Sequence, residues 1–414
     1  MTAQPQVTVK LSVKPNSDSK PENYIDGRNL TIEVTRSLYP SDRGSTANFY
    51  EYKYALKTGG KEFTLLKVLG DSGKHIQLIL PEEQNSIPNV TSVHAYYWKY
   101  NNGLGNTPGK VLLIGVTTES DGTKYYVKSS GSPKWHRFNF GYLLKQSLTP
   151  EDLEKKLDDL NCKRNKAIAI NLYFVVPQSH FSGGNKYCCY YHYHRGTEKV
   201  SVESKTISCT QPDHSSNIIS YQKHSITDSK YTLADIKYHE KGGRTGKRTR
   251  ITASELGFPI KGPLTVSAFY RQENDPKLIC IKYGNFKVEW YKKGGDDSQW
   301  TRVQGISKDP ENIKDCNGSD FKALVNALTG SEKHESHSQL ASHSVNTIIT
   351  TFPVLLPEFT AEARKAPSDD ESEGNGLSTE AIIGISAASV GGTGLGGLAV
   401  WKGPAILARL IARL

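Results

Sequence analysis

Tyr125-Tyr-Val-Lys-Ser-Ser-Gly-Ser-Pro-Lys-Trp-His-Arg137 and Val288-Glu-Trp-Tyr-Lys-Lys-Gly-Gly-Asp-Asp-Ser-Gln-Trp-Thr-Arg302 share one pattern. Each is a run of strand-forming residues, a turn rich in Gly, Ser or Asp, and then Trp-x-Arg. Two further pairs precede them in the same order: Val93-His-Ala-Tyr-Tyr-Trp98 with Val266-Ser-Ala-Phe-Tyr-Arg271, and Lys110-Val-Leu-Leu-Ile114 with Lys277-Leu-Ile-Cys-Ile281. The distance between partners shrinks from block to block, as in a duplication whose loops differ in length. A weaker echo joins Leu30–Val34 to Ile168–Leu172, and Tyr50–Tyr54 to Tyr191–Tyr193. The chain is therefore expected to hold two β-rich repeat units, residues 25–163 and 164–330, behind a polar lead-in of residues 1–24 with a strand at Val7–Val13.

Within a unit, short alternating runs lie between Gly, Asn, Asp and Pro clusters. Tyr50, Tyr52 and Tyr54 stand two apart and so face one side of a strand. One helix is expected near the end of each unit. Thr149 caps the first, with Pro150 at its first position, Glu151 and Asp152 in its first turn, and Leu153, Leu157 and Leu160 as its apolar stripe. The second starts at Ser319, buries Phe321, Leu324, Val325 and Leu328, and stops at Gly330. The expected fold class is β-rich α+β: two tandem antiparallel sheet or sandwich units, each closed by one helix, with Trp135 and Trp300 as core anchors.

Charge divides the 414 residues. Residues 331–380 hold 9 Asp and Glu against 3 Lys and Arg, and residues 1–330 hold 46 basic against 33 acidic. So basic a body is drawn to anionic surfaces and acidic glycans, with no specific nucleic-acid binding expected. Six cysteines (Cys162, Cys188, Cys189, Cys209, Cys280, Cys316) leave the redox compartment open.

Residues 331–380 read as a disordered acidic stalk containing a short apolar run at Val345–Leu356 and an acidic serine site at Ser368. Ala381 to Val400 contains no charge, and as a helix would reach about 30 Å, the thickness of a bilayer's hydrocarbon core. Trp401 and Lys402 follow, with Arg409 and Arg413 beyond, so residues 381–401 are expected to span a membrane and 402–414 to form a short basic amphipathic tail. Gly384, Ala388, Gly392 and Gly396 make a smooth stripe, a helix-packing face through which the chain could homodimerise. Positive charge after the span favours an extracellular or luminal body. Met1–Lys10 has neither the charged n-region nor the apolar h-region of a signal peptide, which favours instead a cytosol-facing, tail-anchored scaffold on an internal membrane.

Candidate chemistry is sparse. Lys241-Gly-Gly-Arg-Thr-Gly-Lys-Arg-Thr-Arg250 is not a nucleotide loop, because Lys241 stands where its first glycine should be and Arg248 replaces its Ser or Thr. Lys241, Arg244, Lys247, Arg248 and Arg250 are instead a candidate anion-binding loop, with a solvated hairpin tip as the alternative. Cys188, Tyr190, His192 and His194 alternate onto one strand face without a fourth metal ligand, and His334-Glu-Ser-His337 lacks the metalloprotease spacing. Asn29, Asn89 and Asn317 open glycosylation sequons that matter only in a secreted chain. No metal, cofactor or catalytic constellation is read here, and the expectation is a non-enzymatic binding protein.

Thr64-Leu-Leu-Lys-Val68, Val90–Trp98, Lys155–Cys162 and Gly392–Lys402 resemble the large multigene family of hypothetical proteins of the piroplasm parasite Theileria equi, and more distantly the FAINT-type domains of related Theileria. The resemblance implies a membrane or secreted, antigen-like parasite protein facing the host, and supplies no catalytic residues. Its implied partners are a membrane and a host or parasite protein or acidic glycan.

Overall fold

The computed structural model describes residues 4–329, apart from 59–60, 81–83, 101–108, 129–132, 139–148, 176–184, 189–198, 209–217, 241–246, 273–274 and 296–298. The expected stalk, membrane helix, glycine stripe and basic tail (331–414) lie outside the described residues.

The fold is β-rich α+β. The first set of elements is β1 (Gln6–Lys10), β2 (Glu22–Ile25), β3 (Thr31–Tyr39), β4 (Phe49–Leu56), β5 (Phe63–Leu69), β6 (His75–Ile76), β7 (Ile87–Trp98), β8 (Val111–Thr118), β9 (Gly122–Lys128), β10 (Trp135–Arg137) and α1 (Pro150–Asn165). The second set is β11 (Ala167–Asn171), β12 (Lys186–Tyr187), β13 (Val200–Ile207), β14 (Ile219–Ile226), β15 (Thr232–His239), β16 (Arg248–Arg250), β17 (Ile260–Lys261), β18 (Leu264–Gln272), β19 (Asp275–Tyr283), β20 (Lys287–Lys293), β21 (Trp300–Arg302) and α2 (Ser319–Thr329).

The two sets have one topology. The first sheet runs β10-β9-β8-β7-β4-β3-β2, and the other β21-β20-β19-β18-β14-β13-β12. Each set adds a parallel pair, β1 with β5 and β11 with β15, and each pair carries a register shift between its second and third residues. Even the tryptophans match. Trp135 donates its backbone N–H to Gln77, Trp300 donates to Thr252, and both rings are buried. One difference is local. The long β7 serves both β5 and β4, whereas β17 and β18 divide that work across Gly262-Pro263. A Cβ on Gly262 would lie 3.0 Å from the Tyr231 carbonyl, so the crossing requires glycine.

Three expectations need correction. The lead-in of residues 1–24 is part of the first sheet: its expected strand at Val7–Val13 is β1 (Gln6–Lys10), which lies beside β5 with Val7 and Val9 wholly buried, and β2 begins at Glu22. The sheets are accordingly not purely antiparallel. The weaker echo is also misassigned. β3 corresponds to β13 and β4 to β14, while the strand at Ala167–Asn171 corresponds to β1. Register also moves one of the strong pairs. Gly115 faces Tyr125 and Cys280 faces Trp290, so Ile114 matches Ile279, two residues from the partner that pattern alone chose. A slip of two preserves the alternation of faces and is invisible to it.

Alternation fills the cores. Tyr52 and Tyr54 of β4 are fully buried among Val34, Val93 and Ile114, with Lys53 between them exposed. Thr149 caps α1 by accepting from the Asp152 N–H, and Leu153, Leu157 and Leu160 pack with Phe49, Tyr96, Trp98, Leu112 and Leu113 of the first sheet. Each such leucine contributes up to about 1.5–3 kcal/mol on burial. In the second set Phe321 and Leu324 of α2 pack with Phe269, Leu278 and Trp290.

Candidate functional site: a buried ion network and a surface relay

Helix α1 has a second buried face. Glu154, Asp158 and Cys162 are spaced four apart, one stripe round from the leucines, and all three meet the second repeat. Asp235 and Lys237 alternate along β15, as do Arg248 and Arg250 along β16, so both pairs face α1. The Lys237 Nζ lies 2.8 Å from Glu154 Oε1, 2.8 Å from Asp158 Oδ2 and 3.3 Å from Asp235 Oδ2. The Arg248 Nη2 lies 2.8 Å from Asp158 Oδ2, and the Arg250 Nε lies 2.7 Å from Asp235 Oδ1. Asn48, from the loop before β4, donates to Asp235 Oδ2 at 2.7 Å. Three acids and three bases thus balance inside a buried seam.

Burial pushes the Asp235 carboxyl upward, against the pull of Arg250 and Lys237. For Arg248, burial acts to lower the pKa, but Asp158 and Glu154 outweigh it and hold the guanidinium charged. Such networks return in attraction roughly what desolvation costs. What they supply is a single docking geometry. The Cys162–Cys188 disulfide continues the stripe and ties α1 to the segment following β12. Cys316 is disulfide-bonded as well, and Cys280 is a buried free thiol.

Two of the five residues of the candidate anion loop are taken up by this network. Arg248 and Arg250 are neither in a loop nor open to an anion, since they are 1% and 7% exposed and already face carboxylates. Lys247 remains at the surface, 3.9 Å from Asp42, whereas Lys241 and Arg244 lie outside the described residues. Cys188, expected on a metal-type strand face, is the disulfide partner of Cys162, and Tyr190, His192 and His194 lie outside the described residues. Asn29, Asn89 and Asn317 are exposed.

The sequence reading missed one cluster. On the face of β7 that also carries Tyr96 and Trp98, His94 Nδ1 lies 2.8 Å from Glu51 Oε1, and His94 Nε2 lies 2.9 Å from Ser92 Oγ. Tyr96 donates to Glu51 Oε1 at 2.6 Å. Burial pushes Glu51 upward, but the hydrogen bonds from His94, Tyr96 and Ser37 outweigh it and hold the carboxyl below its usual range. A Ser-x-His pair inside a strand was the available signal. Its acid, on the neighbouring strand, becomes visible only with the register.

Comparisons with protein-family models, curated proteins and solved structures find no match to this chain.

Proposed function

We propose that this chain is a membrane-anchored, antigen-like binding protein whose body lies on the extracellular or luminal side. In this reading two tandem sheet units, each with one helix laid on it, stand on a disordered acidic stalk and are tethered by a membrane helix at residues 381–401. The body meets a host or parasite protein, or an acidic glycan, and the glycine stripe of the anchor allows two chains to pair. The observation that carries the sidedness is the Cys162–Cys188 disulfide at the inter-repeat seam. Cystines persist in oxidising compartments and are rare in the cytosol, so the disulfide speaks against the cytosol-facing scaffold.

The positive balance of residues 1–330 supports attraction to anionic partners. Rigidity supports it further, because a binder whose two halves are locked loses less freedom on association. Labelling intact cells that express the full chain with a membrane-impermeant amine reagent tests the reading. Biotinylation of lysines in residues 1–330 without permeabilisation is expected, and labelling only after permeabilisation would contradict surface exposure. Protease protection on isolated membranes separates the luminal case, in which the body is shielded, from the cytosolic one, in which it is digested.

A further inference from the structure

The duplication provides an internal control for the Ser92–His94–Glu51 relay. Register matches Glu51 with Tyr221, Ser92 with Thr265 and His94 with Ser267. The second repeat thus builds the same sheet without the relay, filling that face with the stacked pair Tyr221 and Phe269. The fold does not demand Ser92, His94 and Glu51. The backbone differs at the same place. The β7–β8 ladder shifts register between Val90 and Ser92, whereas β18–β19 runs regularly through Leu264, Thr265 and Val266. Such bulges re-aim side chains and gather beside active sites.

We propose that Ser92 is a nucleophile activated by His94 and Glu51, and that the groove beside it accepts carboxylic esters bearing a negative charge. A carboxylate can only accept, so His94 donates from Nδ1 to Glu51, and in the neutral ring Nε2 is left to accept from the Ser92 hydroxyl. That is the protonation pattern a serine nucleophile requires. Ser92, 4% exposed, also lines a groove of about 320 Å³, in which Lys53, Lys57 and Lys61 outnumber the one acid, Glu33. Lys53 pairs directly across the ladder from His94 and so shares its face. In this proposal Lys53, which also lines the groove, supplies the positive charge that attracts an anionic substrate.

The chemistry balances without a further reagent. Ser92 Oγ attacks the ester carbonyl carbon while its proton passes to His94 Nε2. Collapse of the tetrahedral adduct breaks the carbon–oxygen bond to the alcohol, which leaves with that proton. Water then attacks the acyl-Ser92 carbonyl and gives a proton to His94. The second collapse releases the acid, and Ser92 takes the proton back. This activity goes beyond the binding role and does not depend on it.

The test uses the full chain in detergent, a fluorophosphonate probe, and the p-nitrophenyl esters of succinate and acetate. The expected result is probe mass on the Ser92 peptide and faster turnover of the succinate ester. Ser92→Ala abolishes both, and His94→Gln and Glu51→Gln slow turnover about 100-fold or more. Lys53→Met raises KM for the succinate ester and leaves that for acetate unchanged. Absence of label at Ser92, or labelling that His94→Gln does not slow, overturns the proposal. If Ser92→Ala fails to fold, Ser92→Val, which copies the shape of the matched Thr265 without its hydroxyl, serves in its place and is expected to be equally inert.

Discussion

The Lys237 Nζ sits 2.8 Å from Asp158 Oδ2, joining a strand of the second repeat to the helix that packs on the first, with side-chain exposures of 0% and 3%. Helix α1 is therefore a shared wall. Its leucines complete one repeat and its acids complete the next. Helix α2 differs, because its polar residues Lys322 and Asn326 are exposed. A polar outer face is what a terminal repeat needs.

Removing the central cation tests that wall. Lys237→Met leaves Glu154, Asp158 and Asp235 facing only two arginines in a buried seam, and is expected to cost about 3–5 kcal/mol in urea unfolding. Lys247→Ala, at a side chain 63% exposed, should stay within about 0.5 kcal/mol of wild type. Equal midpoints for the two variants would mean the network does not hold the repeats together.

His224 predicts a pH dependence. It is fully buried, 3.0 Å from the Tyr187 hydroxyl, and burial lowers its pKa to about 3. The unfolded chain gains a proton here below about pH 6.5 and the folded chain does not, so the contribution present at neutral pH is lost as pH falls. Each unit below 6.5 should cost up to about 1.4 kcal/mol from this group. His224→Asn should flatten urea midpoints between pH 7 and pH 5, and an unchanged slope would contradict the assignment.

Reduction should loosen the same seam. Cys162 and Cys188 are separated by 26 residues in sequence, and a cross-link over such a loop constrains the unfolded chain by about 3 kcal/mol. The double substitution Cys162→Ala, Cys188→Ala should lower stability by that order. Dithiothreitol should lower the unfolding midpoint of wild type more than that of the variant.

Local signals are the ones that could be read without the fold. Thr149, Pro150 and the stripe Leu153, Leu157, Leu160 fix α1 within one segment, and capping is worth about 1 kcal/mol, so Thr149→Ala should lose that much in thermal unfolding. The acids on the same helix could not be read, since their partners lie 79 and 83 residues on, in β15. Arg248-Thr-Arg250 looked like the end of a basic loop because spacing two reads equally as strand or solvated turn until Asp235-Ile-Lys237 pairs beside it. A strand was legible at Val7–Val13, but not its place in the first sheet, because its parallel partner begins more than 50 residues later. Ser92, His94 and Glu51 belong to two strands whose register no single stretch contains.

The sidedness of the body is tested most directly by thiol trapping in the cells that make it. Cells are lysed under denaturing conditions with a thiol-blocking reagent present, and the full chain is mapped by non-reducing peptide mass spectrometry. A linked Cys162–Cys188 peptide, with Cys280 as a blocked free thiol, is predicted. Recovery of Cys162 and Cys188 both blocked as free thiols would place the body in a reducing compartment and contradict the account.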